Sequence, residues 1–204
     1  IFMANIFGGE AIGRVLKEEG VKYYFGVHGG HIWSMMAGIQ KAGIKMIHMR
    51  HEQAGGYAAD AWARTTGQPG VCFATAGPGM TNLASGVSQS WYCMSPTIAL
   101  LGQHGPDSDY RSPLQEGYGA ELYKTITKWS YRVVDWNTIS HHVRRAFREA
   151  TSYPAGPVAL EFPINVQNAM GPDTQIGYNS QENASPKIDT QADPAMIERT
   201  VTLL

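Results

Sequence analysis

The stretch KMIHMRHEQAGGYAADAWARTTGQPGVCFATA, residues 45–76, decides the fold of this chain. Short apolar runs at 45–49 and 71–76 flank residues 53–64, which combine small and apolar residues over the length of a helix. A strand that is covered on both faces is expected to read as a continuous apolar run rather than an alternating one. The stretch therefore predicts a strand, a crossover helix and a second strand that runs parallel to the first.

The same alternation continues on both sides of this stretch. Further strands are predicted at 22–27, 97–102, 130–134 and 157–162, and further helices at 10–19, 32–42, 80–92 and 138–151. Strands that alternate with helices are typical of βαβ units, and right-handed crossovers place the helices on both faces of the sheet. The predicted fold class is therefore α/β, with an open parallel sheet of about six strands and helices on both faces.

The composition excludes several classes of protein. The chain has 204 residues, of which 43% are hydrophobic and 16% charged, enough to bury a core and too few charges for a disordered chain. A net charge of -1 gives no field that attracts nucleic acid or an anionic membrane. The apolar runs are far shorter than the roughly 20 residues that span a bilayer. Two cysteines exclude a disulfide scaffold and fit a reducing cytoplasm, which is the predicted location.

The chain divides into three parts by composition. Residues 1–167 carry the alternating pattern, and residues 168–193 are polar and aperiodic and are predicted to be a linker. Residues 194–204 (PAMIERTVTLL) predict the first helix of a further, truncated middle domain, with Asp193 as N-cap and Pro194 at the first helical position. Since that helix would have little to pack on and Ile1 is not a methionine, we expect either a piece of a longer chain or a subunit that another completes.

Glycine-rich and polar segments follow four of the predicted strands. They are GVHGGH (26–31), RHEQ (50–53), GPGMTN (77–82) and GQHG (102–105). In open α/β sheets, ligands bind outside the carboxyl ends of the strands, so we expect a site where these segments meet. The chain has no GxGxxG and no P-loop, and Gly55 stands where the second histidine of HExxH would be. A dinucleotide fingerprint, a phosphate-binding P-loop and this type of zinc site are therefore not supported.

Glu52 is the most informative single residue. It stands at a predicted strand-to-helix junction, where a carboxylate stabilises the helix dipole. The other interpretation is a carboxyl in a poorly solvated cleft that shares a proton with a ligand nitrogen. His51 is an alternative base at the same junction. Spacing alone leaves these interpretations open.

Six segments, taken in order, resemble one known family. They are FGVHGG (25–30), RHEQAGGYAADAWARTTGQPGV (50–71), TAGPGMTN (75–82), SPTIALLGQ (95–103), LQEGYGAELYKTITKWS (114–130) and AGPVALEFPINVQ (155–167). Over residues 8–167 the chain resembles the N-terminal pyrimidine-binding domain of thiamine-diphosphate enzymes. The acetolactate-synthase-like branch is the most similar.

The resemblance implies a catalytic role for Glu52. In this family the glutamate of RHEQ hydrogen-bonds the aminopyrimidine of thiamine diphosphate and favours the imino tautomer, which removes the thiazolium C2 proton. The resulting ylide attacks a 2-keto acid or a related carbonyl, and the cofactor serves as the electron sink. The implied function is a lyase or carboligase that acts on a small 2-keto acid.

The resemblance also implies which residues line the site. The cofactor-binding residues would be Gly29, Gly30, Glu52, Thr75, Gly77, Pro78, Gly79 and Asn82. The substrate-pocket residues would be His28, which replaces a usual proline, together with Gln103, Gln115 and Lys128. No metal ligand is expected among the residues of this chain.

One departure from the family concerns the diphosphate. The family binds it through Mg²⁺ with a GDG motif and a later Asn, and this chain has no GDG. We therefore expect that a domain not in this chain holds Mg²⁺, in a homo-oligomer (dimer or tetramer) or in a second subunit. FAD is a further cofactor that some synthases of this branch carry. The alternatives are a 2-hydroxyacyl-CoA lyase, an oxalyl-CoA decarboxylase-type enzyme, or a non-catalytic assembly module, against which the intact RHEQ argues.

Overall fold

The computed structural model of the chain describes residues 5–176 and 193–203. Within these residues the strands are β1 (Asn5–Phe7), β2 (Tyr23–Gly26), β3 (Lys45–His48), β4 (Gly70–Ala74), β5 (Thr97–Gln103), β6 (Trp129–Arg132), β7 (Val158–Pro163) and β8 (Met170–Pro172). The α-helices are α1 (Gly8–Glu18), α2 (Trp33–Lys41), α3 (Glu52–Thr66), α4 (Pro78–Tyr92), α5 (Gly119–Tyr123), α6 (Ile139–Thr151), α7 (Ile164–Asn168) and α8 (Pro194–Leu203).

Six of these strands form one sheet in the order β3-β2-β4-β5-β7-β6, and every neighbouring pair is parallel. The predicted α/β class and the six-stranded parallel sheet are confirmed. The strand bounds differ from the predicted ones by no more than two residues at either end. Strands β4, β5 and β7 lie in the middle of the sheet and are buried along their whole length, which is why they read as continuous apolar runs.

Alternate residues of the central strands face two different helical layers. Val71, Phe73 and Leu100 belong to the core cluster that α1, α2 and α6 cover. The residues that point the other way are smaller, such as Ala74 and Ala99, and they pack against α3, α4 and α5. The predicted helices on both faces of the sheet are confirmed, and the face with small residues lets its helices approach closely.

Helices α3 and α4 touch through glycine. A Cβ on Gly56 would lie 2.7 Å from the Cα of Gly86, so the two backbones are in direct contact. This contact lies four residues, or about one helical turn, after Glu52 on α3 and after Asn82 on α4. Because the helices are held together there, their first turns lie side by side at the carboxyl edge of the sheet.

Some elements were not predicted from the sequence. Strands β1 and β8 pair antiparallel in a separate two-stranded sheet, with Ile6 opposite Gly171. Strand β8 lies inside the segment predicted as a linker, whose residues 177–192 fall outside the described part of the chain. The short helices α5 and α7 were also missed.

The last described helix begins where the sequence predicts. Asp193 Oδ1 accepts a hydrogen bond of 2.9 Å from the backbone N–H of Ala195, which is the expected N-cap contact at the start of α8. All the described residues of this helix are exposed. None of the helices in residues 5–176 and 193–203 combines the length and hydropathy that a bilayer span needs.

Candidate cofactor site

Glu52 is the first residue of α3 and lies against the first turn of α4. Its Oε2 accepts a hydrogen bond of 3.1 Å from Asn82 Nδ2. Its Oε1 lies 3.6 Å from the position that a Cβ on Gly79 would occupy. Among the described residues no side chain or backbone group donates a hydrogen bond to Oε1, and the residue is only partly buried. The carboxyl is therefore fixed through one oxygen and open through the other.

His51, the alternative base, serves as the N-cap of α3. Its Nδ1 accepts a hydrogen bond of 3.2 Å from the backbone N–H of Gln53. This contact satisfies one of the free donors at the start of the helix and uses one ring nitrogen. The geometry therefore gives His51 a structural role beside Glu52.

The turn between β4 and α4 requires glycine. Gly77 has φ +61°, in the left-handed region, and a Cβ there would lie 2.7 Å from the carbonyl oxygen of Gln115. Pro78 then occupies the first position of α4, where its missing N–H costs nothing. Gly79 follows in the first turn of α4, and a side chain there would approach Glu52 Oε1.

Thr75 joins this turn to the loop after β2. Its buried Oγ1 accepts a hydrogen bond of 3.3 Å from the backbone N–H of His31. A Cβ on Gly29 would lie 2.4 Å from the Thr75 Cβ, so only glycine permits this close approach. A Cβ on Gly30 would meet nothing within 4 Å, so Gly30 borders open space. The structure thus brings the predicted glycines, Thr75, Glu52 and Asn82 to one edge of the sheet.

Gln103 and Gln115 also reach this edge. The Gln103 side chain is buried, donates to the carbonyl of Gly117 and accepts a hydrogen bond of 2.8 Å from the backbone N–H of His104. Gln115 has φ +63°, an unusual conformation for a residue other than glycine, and its backbone packs on the Gly77 turn. The loop between β5 and α5 is therefore part of the site.

Two histidines that the sequence analysis did not assign meet here. The His31 Nδ1 lies 3.4 Å from Thr75 Oγ1, and its ring meets the His104 ring edge-on at 4.3 Å between centroids. Burial, and then the neighbouring His104, lower the pKa of His31. Within residues 5–176 and 193–203, the buried Nε2 of His104 has no hydrogen-bond partner. Both residues follow strands, and this position after a strand is the feature of the sequence that could have identified them as site residues.

Two predicted pocket residues make their hydrogen bonds outside this cluster. His28 is exposed on the β3 side, where its Nδ1 is 2.9 Å from His48 Nε2. Lys128 precedes β6 at the amino edge of the sheet, opposite the site. Its ammonium donates to the carbonyl oxygens of Glu149 and Ser152, with 2.7 Å to Ser152 O, and so caps the end of α6. Among the described residues, no hydrogen bond joins His28 or Lys128 to Glu52.

Open parallel α/β domains bind small molecules at the carboxyl edge of the sheet, where this chain has a partly open carboxyl and two glycine-dependent turns. Residues 6–122 match the family model described as "Thiamine pyrophosphate enzyme, N-terminal TPP binding domain". Because the match covers more than half of the chain, the protein belongs to the thiamine pyrophosphate enzyme family, and the resemblance seen in its sequence is confirmed.

Relatives with names for their activity fall into two groups. A probable acetolactate synthase large subunit from Methanocaldococcus jannaschii is 38% identical over 161 residues, 79% of this chain and 27% of the relative. A 2-hydroxyacyl-CoA lyase 2 from Danio rerio is 37% identical over 158 residues, 78% of this chain and 25% of the relative. Acetolactate synthase from Arthrospira platensis is 34% identical over 212 residues, 98% of this chain and 37% of the relative. The chain thus spans about a quarter to somewhat over a third of the length of these relatives.

Proposed function

We propose that this chain is the pyrimidine-binding part of a thiamine-diphosphate-dependent lyase or carboligase. Its substrate would be a 2-keto acid, as the names of the acetolactate synthase relatives suggest. The observation that carries the proposal is the Glu52 carboxyl, which is held by Asn82 through Oε2 and leaves Oε1 open beside a glycine turn. A ring nitrogen of the cofactor needs a group of this kind to exchange a proton with.

The residues at this edge fit the cofactor. Glu52 would bind the aminopyrimidine, while Thr75, Asn82 and the turn from Gly77 to Gly79 would line the pyrimidine pocket. Gly29 and the open position at Gly30 would let the backbone approach the reacting part of the cofactor. Thiamine diphosphate, when bound, supplies a carbon nucleophile and an electron sink for carbanions next to a carbonyl.

The chain's own residues hold and orient the proton-sharing group. The amide of Asn82 fixes one carboxyl oxygen of Glu52 and so turns the other toward the open space. The N-terminus of α3 favours negative charge at the same position, so the helix-stabilising and ligand-binding interpretations of Glu52 are compatible. The buried Thr75 and Gln103 keep water from the floor of the site.

The second part of the proposal concerns the residues that recognise the substrate. We place Gln103 and Gln115 toward the substrate because both lie around the Gly77 turn. We propose the same for His28, which directly precedes Gly29, whereas Lys128 would serve there only if another part of the assembly brought the substrate to it. A 2-hydroxyacyl-CoA lyase is the second candidate, since a relative with that name is 37% identical over 78% of the chain.

The proposal includes partners that this chain does not supply. Among residues 5–176 and 193–203, no group of three or more His, Cys, Asp or Glu side chains could hold a metal ion. We therefore propose that Mg²⁺ and the diphosphate are held by another domain, in a homo-oligomer (dimer or tetramer) or a second subunit. The unpaired Cys72 and Cys93 support a cytoplasmic location. The proposal that FAD binds rests on the family resemblance alone.

The proposal is tested by Glu52→Gln in the complete protein that carries this chain. Since the amide cannot exchange a proton with the pyrimidine, we expect hydrogen–deuterium exchange at the thiazolium C2 to slow by about a hundredfold or more, measured by NMR after acid quench. Glu10→Gln removes the same charge from the first turn of α1 and should leave exchange unchanged. Normal exchange in the Glu52→Gln protein would refute the assignment.

Substrate assays separate the two candidate activities. The complete protein is incubated with thiamine diphosphate and Mg²⁺, and either pyruvate or a 2-hydroxyacyl-CoA is added. Consumption of pyruvate supports the 2-keto acid carboligase, while release of formyl-CoA together with an aldehyde one carbon shorter than the acyl group supports the lyase.

A further inference from the structure

We propose that Glu116 is a positioning residue, which holds the loop between β5 and α5 in the shape that sets Gln115 against the cofactor site. The proposal rests on the proposed function, because the position of Gln115 matters only if the Gly77 turn borders a cofactor. Neither the motifs in the sequence nor the resemblance pointed to Glu116.

The Glu116 carboxylate binds the loop at three points. Its Oε1 accepts hydrogen bonds of 2.6 Å from the backbone N–H of Tyr110 and 3.1 Å from the Tyr118 hydroxyl. Its Oε2 accepts a hydrogen bond of 2.9 Å from the backbone N–H of Ser112. Hydrogen bonds to an ionised acceptor are stronger than those between neutral groups, so this one side chain ties together both halves of the loop.

The loop needs such a tie because its backbone is strained. Tyr110, Ser112 and Gln115 have φ of 61°, 53° and 63°, and none of them is a glycine. Each of these left-handed conformations costs free energy that the surroundings must offset. Two of the three strained residues donate their backbone N–H groups to Glu116. The carboxylate therefore stabilises the strained conformations that the loop requires.

The third strained residue is the one at the site. The Gln115 carbonyl and Cα would lie 2.7 and 3.0 Å from a Cβ on Gly77, so its backbone packs on the turn that opens α4. On the other side, Gln103 binds the carbonyl of Gly117. Gln115 is thus fixed between the Glu116 carboxylate and the end of β5.

The loop is tested directly by limited proteolysis of the complete protein. In Glu116→Gln the amide NH₂ faces a backbone N–H, so one of the two backbone contacts is lost. We expect trypsin to cleave after the exposed Arg111 about tenfold faster than in wild type, with an unchanged midpoint of global unfolding. Tyr118→Phe removes only the hydroxyl contact and should give a smaller increase.

The control is Glu121→Gln, which removes the same charge five residues away. The described structure gives its carboxylate no hydrogen bond, so cleavage after Arg111 should stay at the wild-type rate. An unchanged cleavage rate in Glu116→Gln, or an equal rise in Glu121→Gln, would overturn the proposal.

A double-mutant cycle shows whether Glu116 acts through Gln115. With pyruvate, thiamine diphosphate and Mg²⁺, we expect Glu116→Gln and Gln115→Ala each to lower kcat/KM about tenfold, and the double variant to be no worse than Gln115→Ala. Losses that multiply instead would show that Glu116 acts independently and would overturn the positioning role. If proteolysis responds as expected but the wild type shows no thiamine-diphosphate-dependent turnover with either class of substrate, the loop contact stands and the proposed function fails.

Discussion

At the scale of single residues, the pair formed by Glu52 and Asn82 carries the most specific expectation. Asn82 is exposed and its amide holds the carboxyl through one hydrogen bond of 3.1 Å. We expect Asn82→Ala to change the free energy of unfolding by less than about 0.5 kcal/mol and to slow C2–H exchange about tenfold. Ser85→Ala, an exposed position on the same helix, serves as the control. A wild-type exchange rate in Asn82→Ala would mean that another group orients Glu52.

His142 makes stability depend on pH. Burial, followed by the neighbouring His141 and Arg145, lowers the pKa of His142 from its ordinary 6.5 to about 4. Between those two values the unfolded chain binds a proton that the folded chain does not, so this residue makes stability fall as pH falls. We expect His142→Phe to flatten the loss of unfolding free energy between pH 7 and 4.5, measured by urea denaturation. An identical slope in both proteins would contradict this.

Individual site residues were predictable only where a local motif marks them. Glu52, Gly77 and Asn82 stand in short segments directly after strands, and the structure places them together. His104 was missed because its role depends on contact with a histidine of another loop, and Glu116 because the hydrogen bonds within its own loop follow no recognised motif.

At the scale of elements, the turn before α4 should not tolerate a side chain. A Cβ on Gly77 would combine a left-handed backbone with a 2.7 Å contact to the Gln115 carbonyl. We expect Gly77→Ala to lower the free energy of unfolding by about 2 kcal/mol and to weaken cofactor binding. Gly30→Ala places its methyl group in open space and should leave stability unchanged, as thermal unfolding would show. Equal stability of the two variants would contradict this account of the turn.

Elements were predictable in proportion to how strongly burial shapes their sequence. The central strands β4, β5 and β7 are covered on both faces, and their apolar runs gave their positions within two residues. Strands β1 and β8 have three residues each and are separated in sequence by almost the whole described domain. Neither their length nor their spacing therefore identifies them in the sequence. Lys128 directly precedes the strand predicted at 130–134, so its position at the amino edge followed from the pattern, whereas its pocket role was implied by the resemblance alone.

At the scale of the whole molecule, we expect the cofactor site to be incomplete in this chain. The 204 residues contain no GDG, and the described residues offer no cluster that could hold a metal ion. Titration calorimetry of the isolated chain with thiamine diphosphate should therefore show no Mg²⁺-dependent binding, whereas the complete protein should show it. Tight Mg²⁺-dependent binding by the isolated chain would refute the shared site.

The class of the fold followed from the sequence, but the order of its strands did not. Alternating strands and helices indicate a parallel sheet with two helical layers, and both were found. The order β3-β2-β4-β5-β7-β6 depends on how crossovers pack, a property of contacts between elements that are distant in sequence.

The backbone contact between Gly56 and Gly86 separates two tasks of the molecule. Glu52 and Asn82 each lie one helical turn before that contact. The contact between the two backbones therefore sets the spacing of these two side chains, and the volume of the core side chains has little influence on it. The stretch that we propose to reach toward a substrate, residues 105–118, belongs to a different part of the chain. Under the proposed function, changes in that stretch would alter substrate selectivity and leave the spacing of the proposed catalytic pair unchanged.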